Sequence, residues 1–347
     1  MTSESHSCCE KPPVKWKWYK DKLLVTFLAL VVILILGLFI PFLKKFDMAF
    51  WNYTKMIWWA VALGIILGGV IDYYVPQIYI SKYLARKSKR TIFYSVGLGF
   101  LMSACSHGIL ALSMELHKKG AGGPSVVSFL LASPWTNLPV TLLLIGFFGV
   151  RGVLIIFSAL VVALITGFVF QFLERKGMIE ENVHSLSVDS KFSILEDIKR
   201  RWKVYHFSLR ALKDDIQGVC LGIWELSEMV LWWILMGFFL ASVIAAYVPP
   251  QLFHRFLGPG LSGLLVTLGL AVVLEVCSEG TAPLAFEIYR QTGVIGNSLV
   301  FLMAGVATDY TEVGLIWTNI GPRTALWMVG VCIPQILFLG WMFNHFF

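Results

Sequence analysis

A thiol, a hydroxyl, an imidazole and a glycine stand together at Cys105, Ser106, His107 and Gly108, inside the oily run LGFLMSACSHGILALSMEL. A related set, Cys277, Ser278, Glu279 and Gly280, recurs 172 residues later. Cysteine supplies polarizable sulfur for a soft ion, while Ser, His and Glu supply hydrogen bonds. Glycine permits a sharp turn. Two further polar clusters interrupt apolar runs: ASPWTNLP carries Ser133, Thr136 and Asn137, and VATDYTEVG carries Thr308, Asp309 and Glu312. Pro134 and Pro139 each remove a helix hydrogen bond. A carboxylate at the centre of a membrane helix costs ~2.5–3.5 kcal/mol on insertion scales, so Asp309 and Glu312 are functional candidates by default.

These clusters give a candidate solute-binding set of Cys105, Ser106, His107, Cys277, Ser278, Glu279, Ser133, Thr136, Asn137, Thr308 and Asp309. Asp309, Glu312 and Glu279 are the candidate proton carriers. Cys105, His107 and Cys277 form the candidate metal-ligand set. A lone buried cysteine is more often a small packing residue, and Cys220 and Cys332 read that way. Recurrence in register beside a break sets Cys105 and Cys277 apart. Glu115 and Glu287 fall near the far ends of the same runs, where a surface role and a gate are both open.

The elements that must position these groups are membrane helices. Hydrophobic residues make up 57% of the 347-residue chain and charged residues 14%, against about 25% charged in a soluble domain. The stretches 23–43, 124–149 and 152–173 hold no Asp, Glu, Lys or Arg, and each exceeds the ~20 residues that cross a bilayer. The fold class is therefore an all-α polytopic membrane protein; a β-barrel would show alternating ten-residue segments. The first apolar run has no small-residue cleavage site behind it and reads as a retained helix. The net charge of +7 reports sidedness here and not nucleic-acid binding. Six cysteines without regular spacing make no disulfide framework.

Nine apolar segments can be marked, near 23–43, 56–80, 91–118, 124–149, 152–173, 219–253, 256–291, 294–320 and 324–346. The polar stretch 174–215 separates the fifth from the sixth. Its later part, FSILEDIKRRWKVYHFSLRALKDD, spaces Ile194, Leu195, Ile198, Trp202 and Leu209 as on an amphipathic surface helix, or a solvated linker helix. The chain also repeats. A shift of 172 pairs Cys105 with Cys277, Glu115 with Glu287, Thr136 with Thr308, Gly149 with Gly321 and Arg151 with Arg323. A shift of 173 pairs Trp59 with Trp232, Gly64 with Gly237, and YVP at 74–76 with YVP at 247–249. The expected organisation is a tail and extra first helix over 1–50, a first repeat over 51–173, a cytoplasmic linker over 174–218 and a second repeat over 219–347.

Paired repeats around midplane breaks are a transporter pattern. Most Lys and Arg lie in KPPVKWKWYKDK, in SKYLARKSKR at 81–90, at Lys118 and Lys119, and in the linker, which places all of these in the cytoplasm with the N-terminus. If all nine segments cross, the loop at 81–90 and the linker fall on opposite faces. Re-entrant hairpins at 91–118 and 258–291, each with its Cys-Ser turn at the tip, remove that conflict. The repeats are then inverted, with seven crossings; nine plain crossings is the alternative. Lys44, Lys45 and Arg151 fall outside on the hairpin reading. Helices broken inside a membrane must line protein or a hydrated cavity, so four breaks at one depth would build a polar chamber.

Other classes fit less well. No Walker-type glycine loop occurs, MELHKK lacks the spacing of a zinc-protease helix, and no cofactor motif is present. Cys105 and His107 as nucleophile and base would sit two apart on a helix, where side chains do not face each other. The chain is read as a non-enzyme. A non-transporting scaffold would leave the midplane carboxylates without a role.

The strings CSHGILALSMELHKKGAGGPSVVSFLLASPWTNLPVTLLL and EVCSEGTAPLAFEIYRQTGVIGNSLVFLMAGVATDYTEVGLIW resemble the bacterial permease family that includes ArsP, the organoarsenical efflux permeases. The likeness extends over roughly 50–347. It implies a secondary permease of the bacterial inner membrane exporting trivalent organoarsenicals, with Cys105 and Cys277 as ligands for a thiophilic solute and Asp309 and Glu312 near them. Proton exchange would drive it. Many relatives look like CSCG in the first motif, where this chain has CSHG; a Cys/Cys/His set would suit zinc or copper as well. Copper or zinc export is thus the runner-up, followed by an anion symporter. The implied partners are a small-molecule or metalloid solute and the lipid bilayer, with no nucleic acid; a homo-oligomer stays open.

Overall fold

The computed structural model describes residues 22–74, 84, 90–102, 106–118, 120–182, 209–274 and 277–346. These residues contain helices and connecting turns, and no strand among them. In chain order the helices are α1 (Lys22–Phe39), α2 (Lys44–Tyr74), α3 (Arg90–Leu101), α4 (Ser106–Lys118), α5 (Gly123–Thr136), α6 (Leu138–Phe148) and α7 (Val150–Arg175). After the linker come α8 (Leu209–Tyr247), α9 (Pro250–Phe256), α10 (Leu261–Val273), α11 (Ser278–Thr292), α12 (Ile295–Thr308), α13 (Tyr310–Asn319) and α14 (Pro322–Phe346).

The helix ends carry the repeat. Shifted by 172 residues, α5 lands on α12 end for end, and α3, α4, α6 and α7 land on α10, α11, α13 and α14 to within about two residues. Helix α8 ends at Tyr247, the tyrosine of one YVP string, and α2 is described as far as Tyr74, the tyrosine of the other. The turn before α7 and its counterpart before α14 both rest on a glycine with positive φ, 58° at Gly149 and 153° at Gly321. L side chains are disfavoured there, which explains why glycine recurs in register.

Among the described residues six helices are long and apolar enough to cross a membrane, and two bent pairs raise that to as many as eight. The arms of the expected hairpins are short. Over the described residues, helices α3 and α4 have 12 and 13 residues, and α10 and α11 have 13 and 15. At 1.5 Å per residue they rise about 18–22 Å, short of a ~30 Å hydrocarbon core. Both arms of the first pair pack on α5, and both arms of the second on α12.

At the centre, all of α5 is buried, as are α12 apart from Gly305 and Thr308 and the run Ser278–Ile288 of α11. Helices α5 and α12 touch, and α7 and α14 flank them. Outward, large apolar side chains such as Leu38, Val150 and Val273 are exposed, as a surface in contact with lipid requires. Helix α1 buries little beyond Leu30 and Gly37 and leans on α8. A cleft of about 1240 Å³ between α1, α2 and α8 is lined by side chains such as Leu34, Phe50, Trp51 and Phe238, away from both breaks.

Three expectations need correction. Helix α2 begins at Lys44, not near 56, because Phe46, Phe50, Tyr53, Ile57 and Ala60 form one buried helical stripe beneath the polar residues around them. Helix α8 is already formed at Leu209, inside the stretch read as linker; most of the expected amphipathic segment lies outside the described residues. Cys220 is exposed on α8 and is no core residue, whereas Cys332 is buried beside Thr166.

Candidate functional site

The centre of the site is the N-terminus of α11. Cys277 precedes its first turn, and the Cys277 thiol and Ser278 hydroxyl both donate to Glu279 Oε2, the latter at 3.1 Å. Across the interface between the halves, Asn137 donates from Nδ2 to Glu279 Oε1 at 3.2 Å. Glu279 is 0% exposed, and Cys277, Ser278 and Asn137 are buried with it. A buried carboxylate needs such donors, and a helix N-terminus adds favourable dipole. Four residues of the sequence-derived set are thereby brought together.

Asn137 has a second task. It occupies the gap between α5 and α6, where its Oδ1 accepts the Val140 N–H at 2.8 Å, and the axes of the two helices differ by 42°. Its counterpart Asp309 occupies the gap between α12 and α13. Asp309 Oδ1 accepts the N–H of Thr311 at 2.7 Å, the N–H of Glu312 at 3.4 Å and the Thr311 hydroxyl. Short polar side chains at N-caps satisfy donors that a helix start leaves free. Both breaks are built the same way.

The other members differ in what they offer. Ser133 is fully buried, and its hydroxyl has no hydrogen-bond partner. Thr136 and Thr308 each donate to the carbonyl four residues back, Ala132 and Ala304, both at 2.7 Å. That bond spends the donor and leaves the oxygen lone pairs. Glu312 lies one turn beyond the Asp309 cap, 1% exposed, with neither carboxylate oxygen hydrogen-bonded. Cys105 lies outside the described residues. Ser106 and His107 open α4, their side chains outside the described set. Among the described residues no group of three His, Cys, Asp or Glu side chains could hold a metal.

A second polar cluster sits at the far end of α11, and only Glu287 of it was singled out in the sequence. Glu287 is 0% exposed; Arg290 donates to it from Nε at 2.7 Å and Nη2 at 2.8 Å, and Gln291 at 2.6 Å. Tyr53 of α2 donates its hydroxyl to the same carboxylate. Arg151 donates to the Tyr289 hydroxyl alongside, and Phe147 stacks on Phe286 with centroids 4.9 Å apart. The in-register pairing of Glu115 with Glu287 and Arg151 with Arg323 was the available signal; Tyr53 had none.

The family described as "Predicted permease" (ArsP_1) matches residues 43–345 of the chain. A Streptococcus mutans protein named "Putative two-component membrane permease complex subunit" is 23% identical over 273 residues, covering 78% of this chain and 85% of the relative. The Bacillus subtilis "UPF0718 protein YcgR" is 24% identical over 254 residues, covering 72% of this chain and 80% of its own length. No solved structure matches. With short-armed helices, broken spans and a polar centre already in place, the match extends over nearly everything after the first helix: the chain belongs to this family of membrane permeases.

Proposed function

We propose that this permease exports a thiophilic solute, a trivalent organoarsenical, across the bacterial inner membrane in exchange for protons. The N-terminus is cytoplasmic and the repeats are inverted, with the α3–α4 and α10–α11 pairs entering as hairpins from opposite faces. The solute sits between the two Cys-Ser turns and the two breaks. One observation carries the reading most: a buried thiol, Cys277, shares a carboxylate, Glu279, with Asn137 at a helix break of the other half. Soft sulfur suits a trivalent arsenical, and Cys105 supplies the matching thiol through the repeat register.

Glu312 is assigned the proton. A buried carboxyl group with neither oxygen bonded costs several kcal/mol as an anion. Asp309 beside it and Glu279 opposite are the other carriers of the same relay. Copper or zinc export is the second reading, favoured by the sulfur and carboxylate oxygen side by side at Cys277 and Glu279; the metal would be cargo. The streptococcal relative's name extends the partner reading to a second subunit, beside a second copy of this chain; the mass of the detergent-purified complex separates the two.

The test is uptake into inverted membrane vesicles, with methylarsenite and zinc offered separately and a protonophore added in a parallel arm. Methylarsenite uptake that stops with the protonophore supports the proposal. Zinc uptake alone transfers it to the runner-up, and methylarsenite uptake indifferent to the proton gradient removes the exchange step.

A further inference from the structure

Helices α2 and α8 are counterparts in the repeat and pack tightly on each other. A methyl group on Gly69 would come within 2.6 Å of the Ile223 backbone nitrogen, and one on Gly222 within 2.9 Å of the Gly69 carbonyl oxygen. This two-helix panel does not contact the two repeats equivalently. Helix α2 lies on α6: a methyl on Gly64 would meet the Pro139 Cα at 3.0 Å, and one on Gly146 would meet Ala60 Cβ at 3.3 Å. Helix α8 lies on α11, where a methyl on Gly237 would stand 2.4 Å from the Gly280 carbonyl oxygen.

The counterparts of α6 and α11 are α13 and α4, which also pack on each other. Among the described residues, the panel does not extend over their equivalent faces. Ala111 and Glu115 on α4 are exposed, whereas Pro283 and Glu287, at the same register on α11, are buried. Gly314 and Thr318 on α13 are exposed, whereas their counterparts Leu142 and Gly146 lie against α2. On the covered side Tyr53 of α2 bonds Glu287 of α11, whose carboxylate Arg290 and Gln291 of the same helix hold in place, and the Phe147–Phe286 stack joins α6 to α11. Two related faces, one shut and one open, are the arrangement expected of one end-state of a molecule whose halves exchange conformations.

We infer that the α2–α8 panel is the moving gate, and that this structure has the α6–α11 access route closed and the α4–α13 route open. In the opposite state the panel rocks onto α4 and α13. Gly64 then seats on Gly108, Gly237 comes beside Thr311, and Leu226 meets Glu115 as Tyr53 meets Glu287 here. Leu226 brings no hydroxyl, so the second latch is weaker, and the α6–α11 closure is the resting state. The inference rests on the two-half permease reading and is independent of which solute is carried.

Disulfide trapping tests it in the full-length protein in membranes, because the readout is shape and not transport. Ala60→Cys with Gly146→Cys reports the state seen here, with Cβ atoms close enough to bridge. Trp233→Cys with Thr318→Cys, the same pair carried through the repeat, reports the opposite state. Oxidation followed by mass spectrometry of cross-linked peptides should find both pairs, the second in the smaller yield. A first pair that closes while the second never does overturns the inference. Should the tryptophan variant not fold, Ala111→Cys decides: a membrane-impermeant maleimide should label it at least tenfold more slowly when Gly237→Ala crowds the panel off α11. Unchanged labelling refutes the moving panel.

Discussion

The two breaks share a construction and differ in charge. At the first, an amide caps the following helix and turns its NH2 to a carboxylate from the other half, Glu279. At the second, a carboxylate is itself the cap, and another, Glu312, lies buried a turn later with neither side-chain oxygen hydrogen-bonded among the described residues. Capping is therefore the shared structural duty, and charge is the variable. The first break carries an amide beside the carboxyl group of Glu279 from the other half. The second keeps two acids where the fold needs one.

The largest effect should come from making the first break resemble the second. Asn137→Asp keeps the cap but sets a new carboxylate where an amide donated to Glu279 at 3.2 Å. Two carboxyl groups in one buried site resist ionising together, and a buried charge that has lost its partner costs about 3–5 kcal/mol. Vesicle transport should fall at least tenfold and the melting temperature in detergent should drop. Adding Glu279→Gln should restore the melting temperature. If Asn137→Asp alone behaves as wild type, the Asn137–Glu279 contact is not part of the working state.

The second break gives the next effect. Glu312→Gln removes the unsatisfied acid while keeping its shape, so stability should hold or rise, by about 1 kcal/mol. Transport should lose its response to the proton gradient, read as equal vesicle uptake with and without a protonophore. A Glu312→Gln protein that still follows the gradient would leave Glu312 as packing and return the proton to Asp309 or Glu279. Asp309 itself separates cap from charge. Asp309→Asn should keep the melting temperature, as asparagine caps the first break, whereas Asp309→Ala should cost about 1 kcal/mol through the lost cap.

Much of this was legible in the chain. The shift of 172 residues pointed to helices that match to within about two residues, because the turn glycines and cap residues that fix helix ends are among the non-apolar residues this repeat retains. Asn137, Asp309 and Glu279 were visible as polar groups in apolar runs. The early start of α2 was not, since its buried stripe is hidden among Lys44, Lys45, Asp47 and Lys55 when hydropathy is averaged. Nor was Tyr53: a tyrosine among aromatics shows no sign that it will meet a carboxylate 234 positions away. The asymmetric seating of α2 and α8 was beyond reach as well, because a repeat encodes equivalence and carries no mark of where two counterparts pack differently.

The smallest effect lies outside the membrane, at the strap that follows α7. Glu180 accepts the N–H groups of Arg323 and Thr324 at 3.0 and 2.9 Å and the Thr324 hydroxyl at 2.8 Å, tying the end of the first half to the start of α14. The corresponding helix α7 starts without a side-chain cap. Burial alone would raise the Glu180 carboxyl, but those three donors outweigh it and hold the group below the ordinary carboxylate range. A depressed folded value means the unfolded chain takes up protons first. The strap is then fully stabilising above the unfolded value, about 4.3, and is lost as pH falls through the lower folded value. Glu180 is partly solvated, so Glu180→Gln should cost on the order of 1 kcal/mol or less at neutral pH. Melting curves of the two proteins should differ at pH 7 and converge as acid removes the charge from the wild type. A gap of constant size across that range would show that Glu180 acts through shape and not through charge.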